Sequence, residues 1–130
     1  GSTATQSPTA NPPATQPPTA NSDAALMADL DALWSSPYDA AKVATLYAAD
    51  AVLHDMVASE TSTGLEAIQA KVKDYAGQNF KVTTTSAPIR QGDFVAVFVK
   101  FGAADAMYPG LGVVELKHGK VLNQWVYPAP

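Results

Sequence analysis

The spacing of apolar residues changes along this chain, and that change limits what it can fold into. Through residue 76 the apolar side chains recur mainly at helical intervals: Leu26, Met27, Leu30, Leu33 and Trp34; Val43, Leu46 and Tyr47; Leu65, Ile68 and Val72. From residue 79 onward the period is two. "FVAVFVKFGA" puts Val95, Val97, Val99 and Phe101 on one face and Phe94, Phe98 and Lys100 on the other, and "LGVVELK" puts Val114 and Leu116 in and Glu115 out. Helical spacing gives each helix one apolar stripe, and alternation gives each strand one apolar face. Helices followed by a strand meander predict an α+β fold, with three N-terminal helices packed on one face of a curved antiparallel sheet. A sheet wrapped around helices leaves a conical space, where small ligands bind.

Punctuation divides the pattern. Ser22 or Asp23 can cap the first helix, "SSPYD" breaks it, and Asp39 can cap the second. "AADAVLHDMV" has strand periodicity, "ASETSTG" reads as a loop, and "GLEAIQAKVKDYAGQ" is a third helix with Gly77 near its end. "NFKVTTTSAPIR" is one strand or a bent pair around Pro88, and Gln91-Gly92-Asp93 and His118-Gly119 are turns.

Composition removes several function classes. The 130 residues fit one domain, and 47% are apolar, enough for a core. Net charge is −4, and the eight bases are scattered, so nucleic acid is not an expected partner. No cysteine is present, which excludes disulfides and Cys-ligated zinc. No apolar run approaches the roughly 20 residues of a membrane helix. The first residues lack a signal peptide's charged and apolar regions, but Gly1-Ser2 reads as a cloning scar, leaving room for a removed leader.

Residues 1–21 carry no charge and no aromatic, and "ATQSPTAN" at 4–11 returns as "ATQPPTAN" at 14–21. With five prolines and little to bury, this segment reads as a disordered, extended tail or linker before a domain at 22–130. Such a spacer fits an exported protein tethered to a membrane or wall. The alternative is a dispensable terminus on a cytoplasmic protein.

The stretch "LYAADAVLHDMVASETSTGLEAI", Leu46 to Ile68, and the closing "HGKVLNQWVY" resemble the SnoaL-like and ketosteroid-isomerase-like branch of the nuclear-transport-factor-2-like superfamily. The resemblance covers about residues 22–128. It implies the cone-shaped, cystatin-like α+β fold, but the fold hosts isomerases, cyclases, dehydratases and non-catalytic binders alike. Asp55 falls where isomerase-like members keep a general base, and there desolvation would raise its pKa. Tyr47 falls where they keep a pocket tyrosine in a hydrogen-bond network, and a buried phenol can donate to a ligand oxygen. The oxyanion donors of those isomerases have no counterpart: the first-helix position falls near Leu30 or Asp31 and the late-strand position near Gly112. Such a donor contributes several kcal/mol, so steroid isomerisation is not expected.

The remaining candidates are Trp34, Tyr75, Val97, Phe101, Val114, Gln124 and Val126, expected to line the pocket. The register of the resemblance turns Gln124 and Val126 inward and leaves Trp125 and Tyr127 outward. Ordinary packing is the alternative for Tyr75 and for Tyr108 in "MYPGLG", both of which are placed near the cavity mouth. His54 should face away from Asp55, since adjacent strand residues point to opposite faces. His118 reads as a solvated turn residue. No spacing suits a metal, and no cofactor is expected. Two apolar sheet faces imply that helices cover one and a second copy covers the other, a homodimer.

Three readings follow: a binder of a small apolar molecule; an isomerase-, cyclase- or dehydratase-type enzyme using Asp55 as general acid/base with support from Tyr47; and a non-catalytic interaction module.

Overall fold

Among the described residues, three α-helices, a short 3-10 turn and one curved, unclosed sheet of seven strands make up the fold. The computed structural model describes residues 20–35, 37–103 and 106–129. The Thr/Pro-rich tail up to residue 19, and the tether expected of it, lie outside them. Helix α1 (Ala20–Leu33) buries Met27, Leu30 and Leu33, with Trp34 just past its end. Ser22 and Asp23 fall inside this helix, so the expected cap is not at either residue. Asp23 instead is buried and pairs with Arg90, Oδ1 to Nη1 at 2.8 Å. Ser35 ties the end of α1 to the sheet: its hydroxyl donates to the Val82 carbonyl (3.2 Å) and accepts from the Val82 amide (3.0 Å).

Asp39 caps a short 3-10 turn (Ala40–Lys42) by accepting from the Ala41 amide at 3.1 Å. The turn runs directly into α2 (Val43–Leu46). Tyr47, expected to end that helix, opens strand β1 (Tyr47–Asp55) instead, opposite Val121. β1 buries Ala51, Leu53 and Asp55 on one face, and Met56 and Val57 beyond it are exposed. The segment read as a loop holds a strand, β2 (Glu60–Thr63), in a hairpin with β1. Its polar residues carry no alternation signal, yet backbone pairing along an edge needs none. Gly64, at φ 90°, then turns the chain into α3 (Leu65–Ala76), a conformation that side-chain-bearing residues rarely adopt. α3 buries Ile68 and Val72.

β3 (Phe80–Thr84) and β4 (Ile89–Gln91) both pair antiparallel with β5 (Phe94–Ala103), so the chain around Pro88 is a bent pair. β6 (Ala106–Lys117) and β7 (Lys120–Pro128) complete the meander, joined by a two-residue turn of His118 (φ 53°) and Gly119 (φ 79°). β6 takes in "MYPGLG", which pairs with β5.

The strand order is β2-β1-β7-β6-β5-β3, with β4 beside β5. β7 pairs in parallel with β1, so the sheet is mixed rather than wholly antiparallel. Register shifts in β1/β7 and between Glu115 and Leu116 of β6 interrupt the ladder. Such bulges bend and twist a sheet, and here the inner face packs its core against the helices. No helix among the described residues is long and apolar enough to cross a membrane.

Candidate functional site

A cavity of about 160 Å³ lies between the helices and the concave face of the sheet. α1 supplies Met27, Leu30 and Asp31, with Trp34 beyond its end; β1 supplies Leu53 and Asp55; α3 supplies Tyr75. Phe80, Val82 and Thr84 of β3 close one side, and Val97, Val99 and Phe101 of β5 form the floor with Gly112 and Val114 of β6. Gln124 and Val126 of β7 complete the wall, and Val57 and Ala58 reach it from the loop after β1. The strand residues share a face because side chains on one face recur every second residue.

Asp55 is the last residue of β1, and its carboxylate is saturated. Oδ1 accepts from the amides of Val57 (3.1 Å) and Ala58 (3.0 Å). Oδ2 accepts from the Tyr75 hydroxyl (2.8 Å) and pairs with Lys71 Nζ (3.3 Å). A carboxylate offers about four acceptor positions, and four donors occupy them. Burial pushes this carboxyl's pKa up, but the Ala58 amide, the Tyr75 hydroxyl and the Lys71 ammonium outweigh it, and the net shift is downward. The upward shift expected of a desolvated base is therefore reversed. Lys71 also pairs with Glu60, so it bridges two carboxylates and stays charged. Burial and the adjacent Asp55 charge raise the Tyr75 pKa, which keeps its hydroxyl a donor.

A second polar chain runs beside the first, which it meets where Trp34 packs edge-on against Tyr75, ring centroids 5.5 Å apart. Tyr47 is fully buried and does not reach the cavity. Its hydroxyl accepts from Trp34 Nε1 (2.9 Å) and donates to Gln124 Oε1. The donation expected toward a ligand thus goes to Gln124, and burial raises the phenol's pKa. A third polar group is Asp31, whose carboxylate accepts from the Thr84 amide (2.7 Å) and hydroxyl (3.1 Å). Burial raises its pKa, although the Thr84 bonds pull the other way.

His54 lies on the outer face, stacked on Trp125 with ring centroids 5.1 Å apart and its Nε2 3.1 Å from Asn123 Oδ1. It does not join Asp55. Tyr108 is exposed on β6 and is not a cavity residue.

A family model described as "SnoaL-like domain" matches residues 28–124, well over half of the chain. The chain belongs to the SnoaL-like domain family. Solved structures agree on its fold. A hypothetical protein with a ketosteroid-isomerase-like fold from Catenulispora acidiphila, solved with trimethylamine, is 23% identical and superposes with a TM-score of 0.70 over 80% of this chain and 85% of that one. A nuclear-transport-factor-2-like protein of unknown function from Mesorhizobium loti is 16% identical, with a TM-score of 0.70 over 88% and 98%. IdmH, a proposed polyketide cyclase from Streptomyces antibioticus, is 15% identical, with a TM-score of 0.63 over 79% and 88%. No curated protein matches the sequence.

In this SnoaL-like domain, eight of the nine residues singled out from sequence line the cavity: Trp34, Asp55, Tyr75, Val97, Phe101, Val114, Gln124 and Val126, with Tyr47 behind it. Sequence reasoning missed Lys71 as Asp55's cation. The signal was there, since Lys71 and Tyr75 are four apart on α3 and share a face. It also missed Asp31 as a cavity acid, because the position was read only for its lack of tyrosine.

Proposed function

We propose that this domain binds a small, largely apolar molecule in the cavity. The observation behind the reading is the cavity itself: a concave, mostly aliphatic and aromatic space with a few fixed polar groups, the usual form of a ligand site. Its volume of about 160 Å³ is close to that of an engineered cavity of about 150 Å³ that takes up benzene. A space of this size takes one ring, and a larger molecule must project out of it.

The test is thermal shift of the protein with single-ring and short branched compounds, repeated on Gly112→Val. A Cβ at Gly112 meets Val97 and Val99 at 3.7 and 3.8 Å, ordinary contact, so the larger side chain takes up cavity space. Saturation at about a hundredfold over Kd raises stability by about 2.7 kcal/mol. Hits that vanish in Gly112→Val support the reading, and no hit, or hits indifferent to that change, counts against it.

The enzyme reading has one observation in its favour: the Asp55 carboxyl and its Tyr75 partner both line the cavity. Against it stand the carboxylate's four donors and its lowered pKa, because a good general base has free acceptor capacity and a pKa near the working pH. If turnover is found, Asp55→Asn should abolish it while binding persists.

We also propose that the outer sheet face joins two copies of the chain. Phe94 and Phe98 are 45% and 56% exposed there, and the face continues through Leu111, Val113, Trp125 and Tyr127. An apolar patch of this extent marks an interaction surface. Sedimentation velocity should give a dimer for the native chain and a monomer for Phe98→Lys. A monomeric native chain would leave this face to another partner.

A further inference from the structure

The polar chain behind the cavity has a direction, and the direction selects the ligand. An indole N–H can only donate. Trp34 Nε1 therefore donates to the Tyr47 oxygen, at 2.9 Å, and the Tyr47 hydrogen is left to be donated onward. Its acceptor is Gln124, which must present Oε1 to it. The amide is thereby fixed in one of its two orientations, and Nε2 becomes the opposite end of a side chain that lines the cavity. No described residue accepts from that Nε2. The cavity wall thus carries a held N–H donor in apolar surroundings, with Val114 paired beside Gln124 across the β6/β7 ladder.

The other polar groups cannot supply the acceptor's charge balance if the ligand is an anion. Asp31 and Asp55 both line the cavity, and the nearby cation, Lys71, bridges Asp55 and Glu60. A ligand carboxylate would face two acids without a free cation, and burying an unpaired charge costs several kcal/mol. A ligand ammonium fares little better. The Asp55 carboxylate already has four donors; Asp31, with two from Thr84, keeps acceptor positions, but its burial disfavours the charged form that a cation would pair with.

We infer that the cavity takes a neutral, apolar molecule carrying one carbonyl oxygen, and that Gln124 Nε2 donates to that oxygen. The inference rests on the small-ligand reading and narrows its chemistry. Gln124 is the binding residue; Tyr47 and Trp34 position it.

The test uses pairs of compounds that differ only in the acceptor: cyclopentanone with methylenecyclopentane, cyclohexanone with methylenecyclohexane, and acetophenone with α-methylstyrene. Kd is measured on the native chain, beside cyclohexanecarboxylate and cyclohexylammonium. A net hydrogen bond predicts that each ketone binds about three- to tenfold tighter than its olefin partner. Both ions should bind more weakly than the ketone. The Gln124 side-chain amide resonances should move with ketone and not with olefin.

Gln124→Leu should remove the preference while the olefin's Kd stays within about twofold. Tyr47→Phe frees the amide to turn and should weaken the preference. Equal binding of ketone and olefin to the native chain would overturn the inference and leave the small-ligand reading standing. Tighter binding of either ion than of ketone would also overturn it. Failure of all eight compounds to bind would overturn both.

Discussion

Replacing Asp55 by Asn separates a structural anion from a catalytic base by the sign of a stability change. In the native chain Oδ1 holds the Val57 and Ala58 amides and Oδ2 holds the Tyr75 hydroxyl and Lys71. Asn keeps one carbonyl oxygen for the two amides but turns an NH2 toward Lys71, donor against donor. Tyr75 can adapt by accepting instead. The loss is therefore one charge-assisted contact between side chains that are only 9% and 10% exposed. Hydrogen bonds to charged groups contribute about 1.5–3 kcal/mol. Lys71 keeps Glu60, whose side chain is 61% exposed, and that limits the loss to the lower half of the range. Urea unfolding should show Asp55→Asn about 1.5–2 kcal/mol less stable at pH 7, a fall in Tm of roughly 6–8 °C. Asp55→Ala should cost more, about 3 kcal/mol, because it leaves Lys71 with Glu60 alone and takes the acceptor from the Tyr75 hydroxyl and two amides as well.

The pH dependence follows from the lowered pKa. A carboxyl whose folded pKa lies below its unfolded value of about 3.9 adds stability above that value and loses it as pH falls through the folded one. The gap between native chain and Asp55→Asn should persist at pH 7 and close below about pH 4. A base held under strain behaves oppositely, since removing it commonly stabilises the protein. A variant as stable as the native chain, or more so, would refute the assignment of Asp55 as a structural anion.

Three further outcomes are expected. Arg90→Met should destabilise by about 3 kcal/mol in urea unfolding, because it leaves Asp23, 3% exposed, without its cation. Gly64→Ala should cost about 1–2 kcal/mol from backbone strain alone, since φ is 90° and no atom lies within 4 Å of the added Cβ; titrations of single-ring compounds should show their affinity unchanged. Gly112→Ala should fold normally and shift preference toward smaller ligands, read as a change in relative Kd across the cyclopentanone and acetophenone pairs.

What was legible in the sequence was what depends on period and on local chemistry. Alternation in β5 and β6 placed Val97, Val99 and Val114 on one face, and the structure has them in the cavity. The helical stripe of α1 ends at Trp34, also at the cavity. Asp55 stood out as an acid in a strand, and it ends β1 with its side chain buried. Its environment was only half legible: the i, i+4 spacing put Lys71 and Tyr75 on one face of α3, but nothing local showed that this face meets Asp55. The parallel pairing of β1 with β7 was equally hidden, since residues about 70 apart meet with no local mark of their orientation. Asp23 looked like a cap because capping is a local rule, but its partner Arg90 lies 67 residues away. The Trp34–Tyr47–Gln124 chain joins three segments, and Gln124 lies 77 residues beyond Tyr47.

Methyl-resolved NMR titration of the native chain with cyclohexanone tests the central claim most directly. Saturable shifts at Leu53, Val97, Val99 and Val114, whose side chains line the cavity, are the predicted result. Shifts confined to Leu111 and Val113 on the outer face, or none at saturating compound, would contradict it.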